Sequence, residues 1–135
     1  MDIVYYRTDS GICPARAVTE AFLSDLSDNK RVKALQKIDA TVKLRAEGGR
    51  MGDFSAPVDG HHFQKFRIKV GDDLIRIFYI PYQDKRLVLL NAIVKPDQYE
   101  GGKGKKVENE IERVETETEG YYEDYLKKPD NYEAY

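Results

Sequence analysis

Arg76 is the only charged residue in the run Leu74-Ile75-Arg76-Ile77-Phe78-Tyr79. A guanidinium in an apolar strand is costly unless anionic or hydrogen-bonding groups receive it, so it marks either a structural ion pair or a place that holds an anion. Just upstream, Lys65, Arg67 and Lys69 alternate with Phe66, Ile68 and Val70; just downstream, Asn91 and Lys95 share one parity of the run Arg86 to Lys95. Strand side chains alternate between faces, so Lys65, Arg67, Lys69, Arg76, Phe78, Asn91 and Lys95 are expected on one surface. Guanidinium forks and ammonium groups suit phosphate oxygens, and a ring such as Phe78 or a tyrosine suits an unstacked base. The set therefore fits RNA. A half-exposed antiparallel sheet also carries Lys and Arg on its outer face for solvation alone, and parity does not separate the two readings.

Other residues with chemistry to offer are less organised. His61-His62 precedes this strand and reads as two exposed loop histidines, although either can exchange a proton near neutral pH. Cys13 has no histidine beside it and reads as a small buried or capping residue rather than a nucleophile. Glu108, Glu110, Glu112, Glu115, Glu117 and Glu119 lack the spacing of a metal loop and read as a solvated helix surface. With one cysteine there is neither an internal disulfide nor a zinc framework, so no metal and no cofactor are expected.

These side chains need elements to hold them. Asp2 to Arg7, rich in Ile3, Val4, Tyr5 and Tyr6, suits a first strand. Pro14 opens a helix in which Ala15, Val18, Phe22 and Leu26 recur at helical spacing. Asp28 or Asn29 can cap a second helix carrying Leu35, Ile38 and Val42 until Gly48 and Gly49 stop it, giving a helical hairpin. Gly48 to Gly60 reads as a loop. From His62 the period changes to two, and turns at Gly71-Asp72-Asp73 and Gln83-Asp84-Lys85 fold the chain into an antiparallel meander ending at Pro96. Val88, Leu90, Ala92 and Val94 form the apolar parity of the last strand, which leaves Leu87, Leu89, Asn91, Ile93 and Lys95 on the open side. Gly101, Gly102 and Gly104 read as a flexible break. Beyond it, Lys106 to Glu119 has helical composition with a thin stripe of Val107, Ile111 and Val114, and residues 121–135 hold five tyrosines among acidic residues.

The whole is an α+β chain of 135 residues, enough for one domain with a real core. Its net charge of −2 is unevenly spread: residues 1–105 hold 18 Lys and Arg against 14 Asp and Glu, or +4, and residues 106–135 hold 4 against 10, or −6. A basic body with an acidic tail is the expected organisation. The tail either folds back toward the basic face, in competition with RNA, or simply extends the terminal helix. No apolar run approaches the ~20 residues that span a bilayer and Met1 leads into Asp2 rather than a signal sequence, so a cytoplasmic location is expected.

The order and spacing of Phe66-Arg67-Ile68-Lys69-Val70-Gly71, Ile75-Arg76-Ile77-Phe78-Tyr79 and Leu87-Val88-Leu89-Leu90-Asn91-Ala92-Ile93-Val94-Lys95, with Cys13-Pro14 and Phe22-Leu23 upstream and Glu110-Ile111-Glu112 downstream, resemble the RelE/ParE superfamily of bacterial toxin-antitoxin systems, in particular its HigB-like, phage-derived branch. The sequence departs from that pattern at Lys65, where the family often has Glu, and at Pro96, where a second basic residue is common. The resemblance implies a RelE-like fold and a metal-independent endoribonuclease that cleaves mRNA at the ribosome and is silenced by a cognate antitoxin. It also implies that Arg76 stabilises the reacting phosphate, assisted by Lys95 and Arg67. Lys65, Lys69, Asn91 and Phe78 would hold the RNA, and Lys65, Tyr99 and His62 are alternatives for the general base. The same superfamily includes gyrase-poisoning members that are not nucleases, and inactive binding relatives are a further alternative.

Overall fold

A computed structural model describes residues 1–98 and 101–135. Tyr99, one of the general-base alternatives, lies outside the described residues. In chain order, strand β1 (Asp2–Tyr6) leads to helices α1 (Pro14–Ser24) and α2 (Asp28–Ala46). A short 3-10 turn (Gly52–Phe54) then precedes β2 (Ser55–Pro57), β3 (Gln64–Val70), β4 (Asp73–Tyr82), β5 (Arg86–Pro96), α3 (Gly101–Lys127) and β6 (Tyr132–Ala134). The strands make one mixed sheet in the order β2-β3-β4-β5-β1-β6. The meander β3-β4-β5 is antiparallel as the alternation demands, whereas β1 joins β5 in parallel, because the α1–α2 hairpin returns the chain over the sheet before the meander begins.

The hairpin packs on one sheet face. On α2 the buried positions are Ala34, Ile38, Val42 and Ala46, a four-residue stripe, and Leu35, expected inside, is half exposed. Ile38, Val42 and Ala46, with Ala15 of α1, meet Phe66, Ile68, Ile75, Ile77, Tyr79, Leu87, Leu89 and Ala92. On the opposite face Val4, Tyr6, Val58, Phe63, Phe78, Ile80, Val88, Leu90 and Ile93 meet Val114 and Tyr125 of α3. Both faces of β4 and β5 are thus covered, which is why these strands are apolar at nearly every position.

Two expectations are corrected here. The side of the sheet expected to be open is roofed by α3, which begins at Gly101, so Gly101, Gly102 and Gly104 lie in its first turn rather than in a flexible break. The parity of β5 also fails midway. Phe78 pairs with Asn91 but Tyr79 pairs with Leu89, so Leu90 is an extra residue in a β-bulge. Leu90 and Asn91 consequently both turn toward α3. Leu87 and Leu89 lie on the hairpin side, Val88 and Leu90 under α3, the reverse of the alternation expected for that half of the strand. The acidic tail is integral: α3 contributes to the core, and β6 closes the sheet by pairing Tyr132 with Tyr6 and Ala134 with Val4. The β4–β5 turn, Gln83 to Lys85, places Gln83 and Asp84 at φ of 52° and 55°, and the Lys85 N–H donates to the Tyr82 carbonyl oxygen at 3.0 Å.

Candidate functional site

Strand β3 sets Lys65, Arg67 and Lys69 on the α3 side, opposite Phe78, Arg76 and Leu74 of β4 respectively. Lys65 is half-buried, Arg67 exposed, and Arg76 only 8 % exposed. The parity argument therefore holds for β3 and β4, where no bulge intervenes, and it brings Lys65, Arg67 and Arg76 together.

The other expected site residues diverge from this group. Asn91 is 2 % exposed, and its Nδ2 donates to Glu117 Oε1 and to Thr118 Oγ1, both at 3.2 Å, while its Oδ1 accepts the Ala92 N–H at 2.9 Å. Its hydrogen-bonding groups are thus engaged in tying β5 to α3. Phe78 is fully buried with Phe63 packed edge-on against it, ring centroids 5.4 Å apart, so no base can lie against its ring in this arrangement. Lys95 pairs with Glu110 in the third turn of α3, and this contact holds the Glu110 carboxyl below its usual range. Lys69 pairs with Asp97 at 3.3 Å near the β3–β4 turn.

In exchange, α3 carries groups to Lys65 and Arg76 that the sequence reading left on a solvated surface. Glu115 sits on the flank of the helix facing β3. Burial pushes its carboxyl above the usual range, while Lys65, His61 and Arg76 partly offset the shift. Burial lowers the Lys65 ammonium, the neighbouring Arg76 and Arg67 charges lower it further, and Glu115 opposes them. Both shifts have the same origin, since burial disfavours the charged form of each group.

One turn further along α3, Glu119 receives both loop histidines. His61 Nδ1 lies 3.3 Å from Glu119 Oε2, His62 Nδ1 contacts Glu119 Oε1, and the His62 backbone N–H donates to Oε2 at 3.5 Å. Burial works to raise the Glu119 carboxyl, but these hydrogen bonds outweigh it and hold it low. His61 stacks on Phe63 and His62 on Tyr122, with centroids 5.0 and 5.4 Å apart. The expectation of two exposed loop histidines is corrected for His61, whose side chain is 20 % exposed, and holds for His62 at 70 %.

The site is therefore a seam between α3 and the β3–β4 surface, with cations on the sheet and carboxylates on the helix. The cations of this seam, Lys65, Arg67 and Arg76, share a face as the strand parity requires, whereas Glu115 and Glu119 read in sequence as a solvated helix surface and His61 as an exposed loop residue. The available signal was spacing: Glu115 and Glu119 each follow an inward position of α3, Val114 and Thr118, by one residue, and so border the stripe that faces the sheet.

Cys13 stands apart from the seam. It occupies the N-cap position of α1, buried, with Sγ donating to Glu133 Oε2 at 3.2 Å, and burial together with that bond pushes its thiol up to about 11. At neutral pH it is a protonated structural thiol. Among the described residues no group of three or more His, Cys, Asp or Glu side chains could hold a metal ion, and no helix is long and apolar enough to cross a membrane. No protein-family model matches the sequence, and no curated protein matches it.

Proposed function

We propose that the protein is a RelE-like toxin of a toxin-antitoxin pair that cleaves RNA without a metal, with the α3–β3–β4 seam as its active site. The observation that carries this reading is the clustering of Lys65, Arg67 and Arg76 on one face of β3 and β4, with the half-buried Glu115 of α3 close enough to act on the Lys65 charge. In such a reaction the ribose 2′-oxygen attacks the adjacent phosphorus, the P–O5′ bond breaks, and a 2′,3′-cyclic phosphate and a 5′-hydroxyl result. Glu115 accepts the 2′-hydroxyl proton, and Lys65 delivers a proton to the departing 5′-oxygen. Arg67 and Arg76 neutralise the charge that builds on the non-bridging oxygens, where preorganised donors contribute most to rate. The His61–Glu119–His62 cluster positions the loop that borders the seam.

The cyclic-phosphate route needs a 2′-hydroxyl, so DNA is not a substrate; mRNA presented by the ribosome is the target that the RelE-like resemblance implies. The inhibitory partner is a cognate antitoxin protein.

Purified protein is incubated with free RNA and with ribosome-bound mRNA, with and without EDTA, and in parallel with DNA gyrase. Cleavage that survives EDTA and leaves 2′,3′-cyclic phosphate ends is expected. Gyrase inhibition without RNA cleavage sinks the nuclease reading, as does cleavage that EDTA abolishes and added Mg²⁺ restores.

A further inference from the structure

We propose that the groove between α2 and the β3–β4 turn is a second phosphate-gripping site, which holds the same single-stranded RNA beyond the scissile position. This rests on the reading of the α3–β3–β4 seam as an RNA site and adds the path the strand takes away from it.

The groove, about 470 Å³, has an apolar floor that includes Leu26, Ala34 and Val70, and four lysines line it: Lys30, Lys33, Lys37 and Lys69. Asp72 and Asp73 are the two carboxylates in the lining and Asp97 pairs with Lys69 beside it, so cations outnumber anions four to three. The three lysines of α2 stand at i, i+3 and i+7, which places them along one side of the helix, and all three are exposed. Lys37 reaches across the groove, its Nζ donating to the Lys69 carbonyl oxygen at 2.5 Å, which links α2 to the end of β3.

Lys69 stands between the two sites. It follows Lys65 and Arg67 on the same face of β3 and lines the groove, and a phosphate there would compete with Asp97, which pairs with its ammonium at 3.3 Å. At about 3.3 Å per strand residue, Lys65 to Lys69 covers roughly 13 Å. At 1.5 Å per helical residue, Lys30 to Lys37 adds roughly 10 Å. The cations thus form one track, long enough for several nucleotides, running from the seam along β3 and around the turn onto α2. A regular row of cations matches the regular charge of a phosphate backbone, and the apolar floor can take the face of a base. An acidic peptide would use the charge but not the continuity with the seam.

The test measures binding of the full chain to a 2′-O-methyl single-stranded RNA, which cannot be cleaved, across a range of NaCl concentrations. The double variant Lys30→Ala/Lys33→Ala leaves the Lys37 tether intact. It is expected to bind more weakly at low salt, and the slope of log K against log salt should flatten by about 1.4, since each single-strand phosphate contact contributes about 0.7. Lys30→Arg/Lys33→Arg should keep the wild-type slope. With cleavable RNA, the alanine variant should raise KM and leave kcat unchanged.

An unchanged slope in the alanine variant overturns the groove site, as does polyglutamate competing for the protein as well as RNA of equal charge. The two readings fail separately. Binding that responds to the double variant in a chain that never cleaves RNA sinks the catalytic assignment alone, and cleavage with an unaltered salt slope sinks the groove alone. Absence of RNA binding by the wild-type chain at low salt overturns both.

Discussion

Arg67 and Arg76 stand directly opposite each other on the antiparallel strands β3 and β4, on the face that α3 covers. Like charges in directly opposed positions of a sheet oppose pairing, by roughly 0.2–1 kcal/mol. A phosphate bound at this face would meet both guanidiniums.

Arg76→Ala should lower RNA cleavage by ~10² to 10³, the loss typical of one charge-stabilising donor, and abolish growth inhibition while the fold survives. Arg67→Ala should lower cleavage as well and leave stability in urea within about 0.5 kcal/mol, because Arg67 is exposed and its removal costs little buried surface. Activity and denaturation measured on the same preparations check both. A folded Arg76→Ala protein with near-wild-type activity removes Arg76 from the mechanism.

Glu115→Gln separates function from stability through pH. The folded-state pKa of Glu115 lies above its unfolded value. Stability linked to its protonated form is therefore fully present below about pH 4 and is lost as pH rises through the raised folded value. Glutamine has no such loss, so the variant and the wild type should be equally stable near pH 4, with the variant gaining as pH rises toward neutral. Cleavage should fall by ~10² to 10⁴, as for loss of a general base. Urea titrations at several pH values, paired with rate measurements, decide this; a wild-type protein that gains stability relative to the variant on going from acid to neutral pH would refute the assignment.

Removal of α3 should unfold the protein rather than unmask it. Val114, Thr118 and Tyr125 are buried, and the segment also supplies β6. Truncation after Gly104 is expected to abolish cooperative unfolding. The milder Tyr125→Ala should cost ~3–5 kcal/mol, as for other large aromatic truncations in cores. A truncated chain that unfolds cooperatively and binds RNA more tightly at low salt would show instead that α3 is a removable cover.

Cys13 should resist alkylation in the folded protein. With its thiol at about 11, the reactive thiolate is about one part in a thousand at pH 8, and the sulfur is buried as well. Iodoacetamide followed by intact mass should show modification only after denaturation; rapid labelling of the native protein would contradict the buried, Glu133-bonded thiol.

The sequence by itself determined the elements whose pattern is local. Alternation over Lys65 to Val70, the glycine at position 71, and the spacing of Ile38 and Val42 each follow from period and turn chemistry, and from them came the α+β class, the helical hairpin and the meander. The cationic half of the site was legible for the same reason, since Lys65, Arg67 and Arg76 lie on strands whose register no bulge disturbs.

What only the tertiary structure decided is non-local. The bulge at Leu90 leaves no mark in a run where every neighbour is apolar, yet it turns Leu90 and Asn91 to the same side and reverses the faces of Leu87 to Leu90. The placement of α3 depends on contacts made across the whole chain, with Tyr6 from the first strand packing against Tyr121 and Tyr125 near the end. That long-range packing roofs the face expected to be open, buries Phe78 and Asn91, and carries Glu115 and Glu119 to Lys65, Arg76 and the histidines. A glutamate on a thinly apolar helix looks the same in sequence whether it meets water or an arginine, because its environment is set by what lies beneath the helix rather than by its neighbours along it.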